Sequence, residues 1–147
     1  MADNTDVIRF LDAHNKLYLT AISELKNGKK ETHWMWFIFP QLRGLGKSSI
    51  SNFYGIVGLD EAEAFMNHRT LSNNLIEISK VLLQHNHKSI DEIFGFTDAQ
   101  KLLSCMTLFS ETSNSHPVFH QIIDSFFVGK KDEKTLQLLN SQPLLKT

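Results

Sequence analysis

Between residues 7 and 25 the apolar positions Val7, Phe10, Leu11, Leu17, Tyr18, Ala21, Ile22 and Leu25 recur at spacings of three, four and seven. That spacing puts them on one face of an α-helix. Thr5 or Asp6 is expected to cap its start, and Asn27-Gly28 supplies residues that tolerate a left-handed conformation at its end. The same grammar repeats further on. Asp60 precedes Glu63, Ser89 precedes Glu92 and Thr97 precedes Gln100, each pairing a capping oxygen with an acid or amide three residues later, so three helices are expected to begin there. Leu71, Leu75, Ile78, Leu82 and Leu83 form another stripe, which ends at the polar Gln84-His85-Asn86-His87. Pro117 suits the first turn of a helix through Phe119, Ile122, Ile123 and Phe126 to Gly129, and Asp132 can cap a last short helix through Leu136 and Leu139. The pattern predicts an all-α, compact multihelical single domain of six to eight helices with short connections.

Residues 34–39, WMWFIF, interrupt the pattern because they contain no polar position. Their aromatic and branched content would suit a buried strand, but no partner strand or hairpin turn is legible. Hydrophobicity on every side equally describes a helix buried at the centre of the fold, and this is the reading adopted.

Composition narrows the class of protein. The chain has 147 residues, 41% of them hydrophobic and 21% charged, with three prolines, which is the make-up of one packed core rather than of a disordered segment. Fifteen basic residues against sixteen acidic give a net charge of −1, so there is no overall field for gripping a phosphate backbone, and nucleic-acid binding is not expected. An apolar run of six residues falls far short of a membrane span, and the polar start MADNTD lacks a signal-peptide core, so a cytoplasmic protein without a membrane partner is expected. The single cysteine, Cys105, excludes an intrachain disulfide and reads as a small buried apolar residue.

The residues Lys30, His33-Trp-Met-Trp-Phe-Ile-Phe-Pro-Gln41, Gly44-Leu-Gly46, Ser48, Tyr54-Gly-Ile56, Ile93-Phe-Gly95, Lys101, Met106-Thr-Leu-Phe109 and Asp132-x-x-Thr135-Leu136 carry a family resemblance over nearly the whole chain. The sequence resembles an uncharacterised bacterial domain family whose members often bear the label "calpastatin". That label conflicts with the composition, because calpain inhibitors of that name are long disordered repeat proteins. The resemblance implies an all-helical fold with a buried central helix and brings no established activity. The chain departs from the family pattern at Glu31, Arg69, Leu103 and Cys105.

Candidate chemistry concentrates in residues 33–49, HWMWFIFPQLRGLGKSS, where an aromatic stretch is followed by a glycine-containing, basic, hydroxyl-rich loop. Gly44-Leu-Gly46-Lys47-Ser48-Ser49 resembles the end of a phosphate-binding P-loop, but Gln41 stands where its first glycine belongs and no parallel sheet is legible, so a nucleoside triphosphatase is not supported. A weaker reading has Gly46, Lys47 and Ser48 leading N–H groups toward an anion, against the plain alternative of a glycine hinge with Ser48 as a cap. Buried indoles need hydrogen-bond partners, and His33 and Gln41 flank the aromatic run. A pocket for a small anionic ligand, nucleotide-derived ones included, is therefore expected from Lys30, Trp36, Gln41, Lys47, Ser48 and Tyr54, with His33 as the candidate acid–base group because imidazole titrates near neutral pH. Lys101, Ser104 and Thr107 form a polar helical edge that could line a cavity or simply face solvent. No metal site is expected, since His85-x-His87 lies in a polar turn and no His-Glu-x-x-His occurs; no cofactor is identified. The alternative function is a non-catalytic interaction module. A concave cavity reached by Lys30, His33, Gln41 and Ser48 would favour the first reading, and a flat exposed patch containing Trp34 or Trp36 the second.

Overall fold

The first stripe forms helix α1 (Asn4–Lys26), whose Val7, Phe10, Tyr18, Ala21, Ile22 and Leu25 are buried. The helix already includes Thr5 and Asp6, so neither is the cap that the sequence suggests. Its end is as expected: Gly28 adopts φ +79° and its N–H donates to Leu25 O at 2.9 Å. The structure, a computed structural model, describes residues 4–140. Among these, α1 is followed by α2 (Met35–Ile38), α3 (Ser49–Tyr54), α4 (Leu59–Asn67), α5 (Arg69–Leu83), α6 (Ile90–Phe94), α7 (Phe96–Ser110), α8 (Pro117–Phe127) and α9 (Glu133–Asn140), with no strand.

The helix starts follow local chemistry. Ser89 and Glu92 close a reciprocal capping box on α6, His116 caps α8 ahead of Pro117, and Asp132 Oδ2 accepts from Thr135 N at 3.0 Å at the start of α9. Two starts lie earlier than the pairings suggest. Gly58 and Gly95 precede α4 and α7, which places Asp60 and Thr97 inside the first turn, where an acid such as Asp60 still faces the positive end of the helix dipole. α5 also begins early, because His68 Nδ1 accepts from Leu71 N at 3.3 Å and caps it.

One hydrophobic cluster joins these elements. Its most enclosed member is α7, where Ala99, Leu102, Cys105, Met106, Leu108 and Phe109 are all buried, with α8, α6, α9, α4 and α2 packed around it. The buried central helix is thus α7 and not the aromatic stretch, which was expected to form it and makes only the single turn α2. Trp34, Met35, Ile38 and Phe39 are buried, and the Trp34 ring packs against Phe39 and Phe94. The turn stops because Pro40 has no N–H to extend it and drives Phe39 out of the helical region, to ψ 77°. Hydrophobicity on all sides could not reveal that limit; the proline could.

Beyond Pro40 the chain runs inward until Leu42 and Ile56 form an isolated parallel bridge, with Arg43 N donating to Ile56 O at 2.7 Å and Ile56 N to Gln41 O at 2.8 Å. The residues on either side of α3 are thereby tied together. Among the described residues no helix is long and apolar enough to cross a membrane.

Gly55 is where this closure is tightest. A Cβ there would lie 2.7 Å from Ser51 O and 2.8 Å from Arg43 Cα, both backbone atoms that cannot rotate away. Gly55→Ala is expected to lower unfolding free energy by about 1–3 kcal/mol in a urea titration. An unchanged midpoint would mean that the crossing has slack.

Candidate functional site

Between α1 and α2 the chain has no regular structure, and one carboxylate organises it. Glu24, buried in the last turns of α1, accepts from Glu31 N at 2.8 Å, Thr32 N at 3.1 Å and Trp34 Nε1 at 3.0 Å through one oxygen, and from Thr32 Oγ1 at 2.7 Å through the other. Burial works to raise the Glu24 carboxyl, but the donors from Glu31, Thr32 and Trp34 outweigh it and hold the group at about 2. The Trp34 indole donor, for which the sequence offered the flanking His33 and Gln41, finds its partner instead in a residue ten positions earlier.

This anchoring fixes Lys30. Its N–H donates to Ile93 O at 2.7 Å, and its side chain, only 6% exposed, turns inward over the Trp34 ring with Nζ 5.0 Å from the ring centre. Nζ meets Asp98 Oδ2 at 2.8 Å. Asp98 belongs to the first turn of α7, and one turn later Lys101 reaches its other oxygen at 3.3 Å. Desolvation pushes the Asp98 carboxyl up, but the hydrogen bond and charge of Lys30, joined by Lys101, more than offset this and hold it below the usual carboxylate range. The carboxylate is ionised between two ammonium groups.

A cavity of about 280 Å³ opens beside this triad. Lys30, Asp98 and Lys101 form its polar side; Trp36, Phe37 and Ile50 contribute apolar wall, and His33 also lines it. Two cations against one carboxylate leave the cavity with an excess of positive charge. Partly buried lysines facing half-exposed aromatic rings suit an anion attached to an apolar or planar body.

Of the residues expected from sequence, Lys30, His33 and Trp36 meet here, whereas Gln41, Lys47, Ser48 and Tyr54 do not line this cavity. The expected polar groups of this segment lie elsewhere. Ser48 caps the six-residue α3 by accepting from Ser51 N at 3.0 Å, Lys47 is exposed, and Gln41 is carried inward by the Leu42–Ile56 bridge, its buried Nε2 without a hydrogen-bond partner. Tyr54 packs edge-on to Phe37 and Phe53, at centroid distances of 5.2 and 4.8 Å. The loop does meet the aromatic turn, but as packing: a Cβ on Gly46 would lie 2.9 Å from Trp36 Cζ2. The side of the cavity that sequence assigned to the loop is supplied by α7. Lys101 was visible as part of a polar edge; Asp98, spaced three residues before it, carried no signal that it would reach back to Lys30.

A second, wider hollow of about 880 Å³ also takes lining from α3, with Ser49, Asn52 and Phe53 joined by Arg43 and Val57 over Arg9 and Glu61. Arg9 forks onto Glu61 at 2.7 and 3.1 Å while donating to Gly55 O at 2.9 Å and Phe53 O at 2.8 Å. Elsewhere, His14 is buried and stacked on Tyr18, with its ring nitrogens 3.3 Å from Phe37 O and 2.9 Å from Asn74 Nδ2; burial lowers its pKa, which keeps it neutral as a structural bridge between α1, α2 and α5. Among the described residues no group of three or more His, Cys, Asp or Glu side chains could hold a metal ion.

The Glu24 anchor has a pH signature. Its folded value of about 2 lies below the ordinary 4.5, so its stabilisation is complete above about pH 4.5 and is lost as pH falls toward 2. Glu24→Gln is expected to cost about 2–3 kcal/mol at pH 7 and to flatten the acid limb of the stability–pH curve between those values, as read by urea melts. An unaltered acid limb in the variant would assign the effect to other carboxylates.

A family model described as a protein of unknown function (DUF1810) matches residues 4–139. The crystal structure of a conserved hypothetical protein from Mycobacterium tuberculosis is similar at a TM-score of 0.90 and 40% identity, covering 94% of this chain and 99% of that one. No curated protein matches the chain.

Proposed function

The chain belongs to the DUF1810 family of proteins of unknown function, and from its own residues we propose that it binds a small anionic metabolite, nucleotide-derived ones included, in the cavity between the aromatic turn and α7. One observation carries this reading: Lys30 and Lys101 converge on a single carboxylate, Asp98, at the side of a concave cavity walled by Trp36 and Phe37. A pair of ammonium groups that share one counter-charge has capacity for a second anion, and the desolvated setting of Lys30 strengthens that attraction relative to a surface lysine. The planar wall takes the body of the ligand. His33, on the same cavity, is the candidate for exchanging a proton with a bound molecule.

The interaction-module alternative receives less support. Trp34 is fully enclosed and bonded to Glu24, and Trp36 is half-buried in a concavity, so the aromatic segment offers no flat patch with exposed indoles.

Thermal-shift screening of nucleotides, sugar phosphates and small carboxylates tests the proposal. Ligand at a hundredfold excess over Kd adds about 2.7 kcal/mol of stability, an increase of several degrees in Tm. The expected result is a hit whose shift disappears in Lys101→Ala and weakens in His33→Ala but persists in Lys47→Ala. A hit indifferent to Lys101→Ala places the ligand elsewhere and defeats the reading.

A further inference from the structure

The two hollows that flank α3 share an arrangement that neither shows alone. The first sets Lys30 and Lys101 against Asp98; the second pairs Arg9 with Glu61 and has the exposed Arg43 in its lining. Each therefore has two cations and one carboxylate in its lining. In each, one cation is tied closely to the carboxylate, Lys30 to Asp98 at 2.8 Å and Arg9 to Glu61 at 2.7 Å, while the other stands nearer solvent. The short helix between them divides its side chains, giving Ile50 to the first hollow and Ser49, Asn52 and Phe53 to the second. A line of rings connects them. Phe37, which lines the first, packs on Tyr54 at 5.2 Å, and Tyr54 packs on Phe53, which lines the second, at 4.8 Å. Phe53 is 55% exposed, and Ile50 and Val57 on the same segment are exposed too, at 53% and 45%.

We propose that the two hollows are the ends of one site for an elongated ligand with an anionic group at each end, its middle lying along the Phe37–Tyr54–Phe53 rings. This rests on the reading of the first cavity given above. Lys30 and Lys101 hold one anionic group. Arg43, with the hydroxyl of Ser49 and the amide of Asn52, holds the other. In the second hollow Glu61 is 4% exposed and bonded also to Val57 N at 3.0 Å, so it fixes the floor, while the exposed Arg43 gives the rim its positive charge. The exposed apolar surface of Phe53 and Val57 is then the part of the site that a ligand covers.

Linear alkane bisphosphonates of graded chain length, compared by calorimetry with alkylphosphonates of the same lengths, test this directly. Two anionic groups on one chain bind together only when the chain spans the hollows, so affinity should pass through a maximum at an intermediate length and exceed the matched monophosphonate at least tenfold there. Arg43→Ala should remove that gain and bring the bisphosphonate to the affinity of the monophosphonate, and Arg43→Lys should restore part of it. Monophosphonate binding that is lost in Lys101→Ala but shows no length-dependent gain overturns the spanning ligand and leaves the first cavity standing. Absence of monophosphonate binding to the unaltered protein overturns the first cavity and the spanning ligand with it. A gain that rises steadily with length, without a maximum and indifferent to Arg43→Ala, reflects hydrophobic adsorption and also overturns the proposal.

Discussion

The site depends on the burial of one ionised carboxyl group. Glu24 sits where α1 ends, and its two oxygens collect donors from a stretch that has no regular hydrogen bonding of its own. A charged group is costly to desolvate, and the cost is offset only where donors surround it. The loop must therefore close around Glu24 in one way, and that closure sets three things at once: the indole of Trp34 against Phe94 and Phe39, the side chain of Lys30 beneath the first turn of α7, and the direction in which α2 sets out. The cavity is a by-product of this closure, because its lysine arrives already ordered.

The two flanks of α3 show how a protein of nearly neutral net charge can hold local positive regions. Each carboxylate pairs closely with one cation, Asp98 with Lys30 and Glu61 with Arg9, while a second, more exposed cation stands beside each pair. Tertiary packing thus gathers cations from separate parts of the sequence around single carboxylates. Counting Lys and Arg against Asp and Glu cannot detect that, which is why the overall charge of −1 gave no hint of either hollow.

The legibility of the sequence varied with the range of the interactions involved. Ser89-x-x-Glu92, Pro117 and Asp132 act on neighbours within a turn, and their roles were readable from spacing alone. The apolar stripes of α1 and α5 were equally plain, because the helical period repeats over several turns. Residues 34–39 were harder: an all-apolar run has no phase, and its length was decided by Pro40 and by a bridge to Ile56. In the site, Lys30, His33 and Trp36 lie within seven residues and were found together, but Asp98 is brought to Lys30 only by tertiary packing. The glycine loop misled for the opposite reason. Its residue types suit anion binding, yet Ser48 and Gly46 are accounted for by a cap and a close contact with Trp36.

The placement of Cys105 has a practical consequence. The chain's single thiol lies in the most enclosed helix, shut off from solvent, and burial raises its pKa well above the ordinary value. A thiol in that position cannot react with an alkylating reagent until α7 parts from its neighbours, since the thiolate is the attacking species and has no route to it. The native protein thus contains its own clock for opening: the rate at which a thiol reagent is consumed measures how often the core around α7 comes apart, at a locus on the same helix as Asp98 and Lys101.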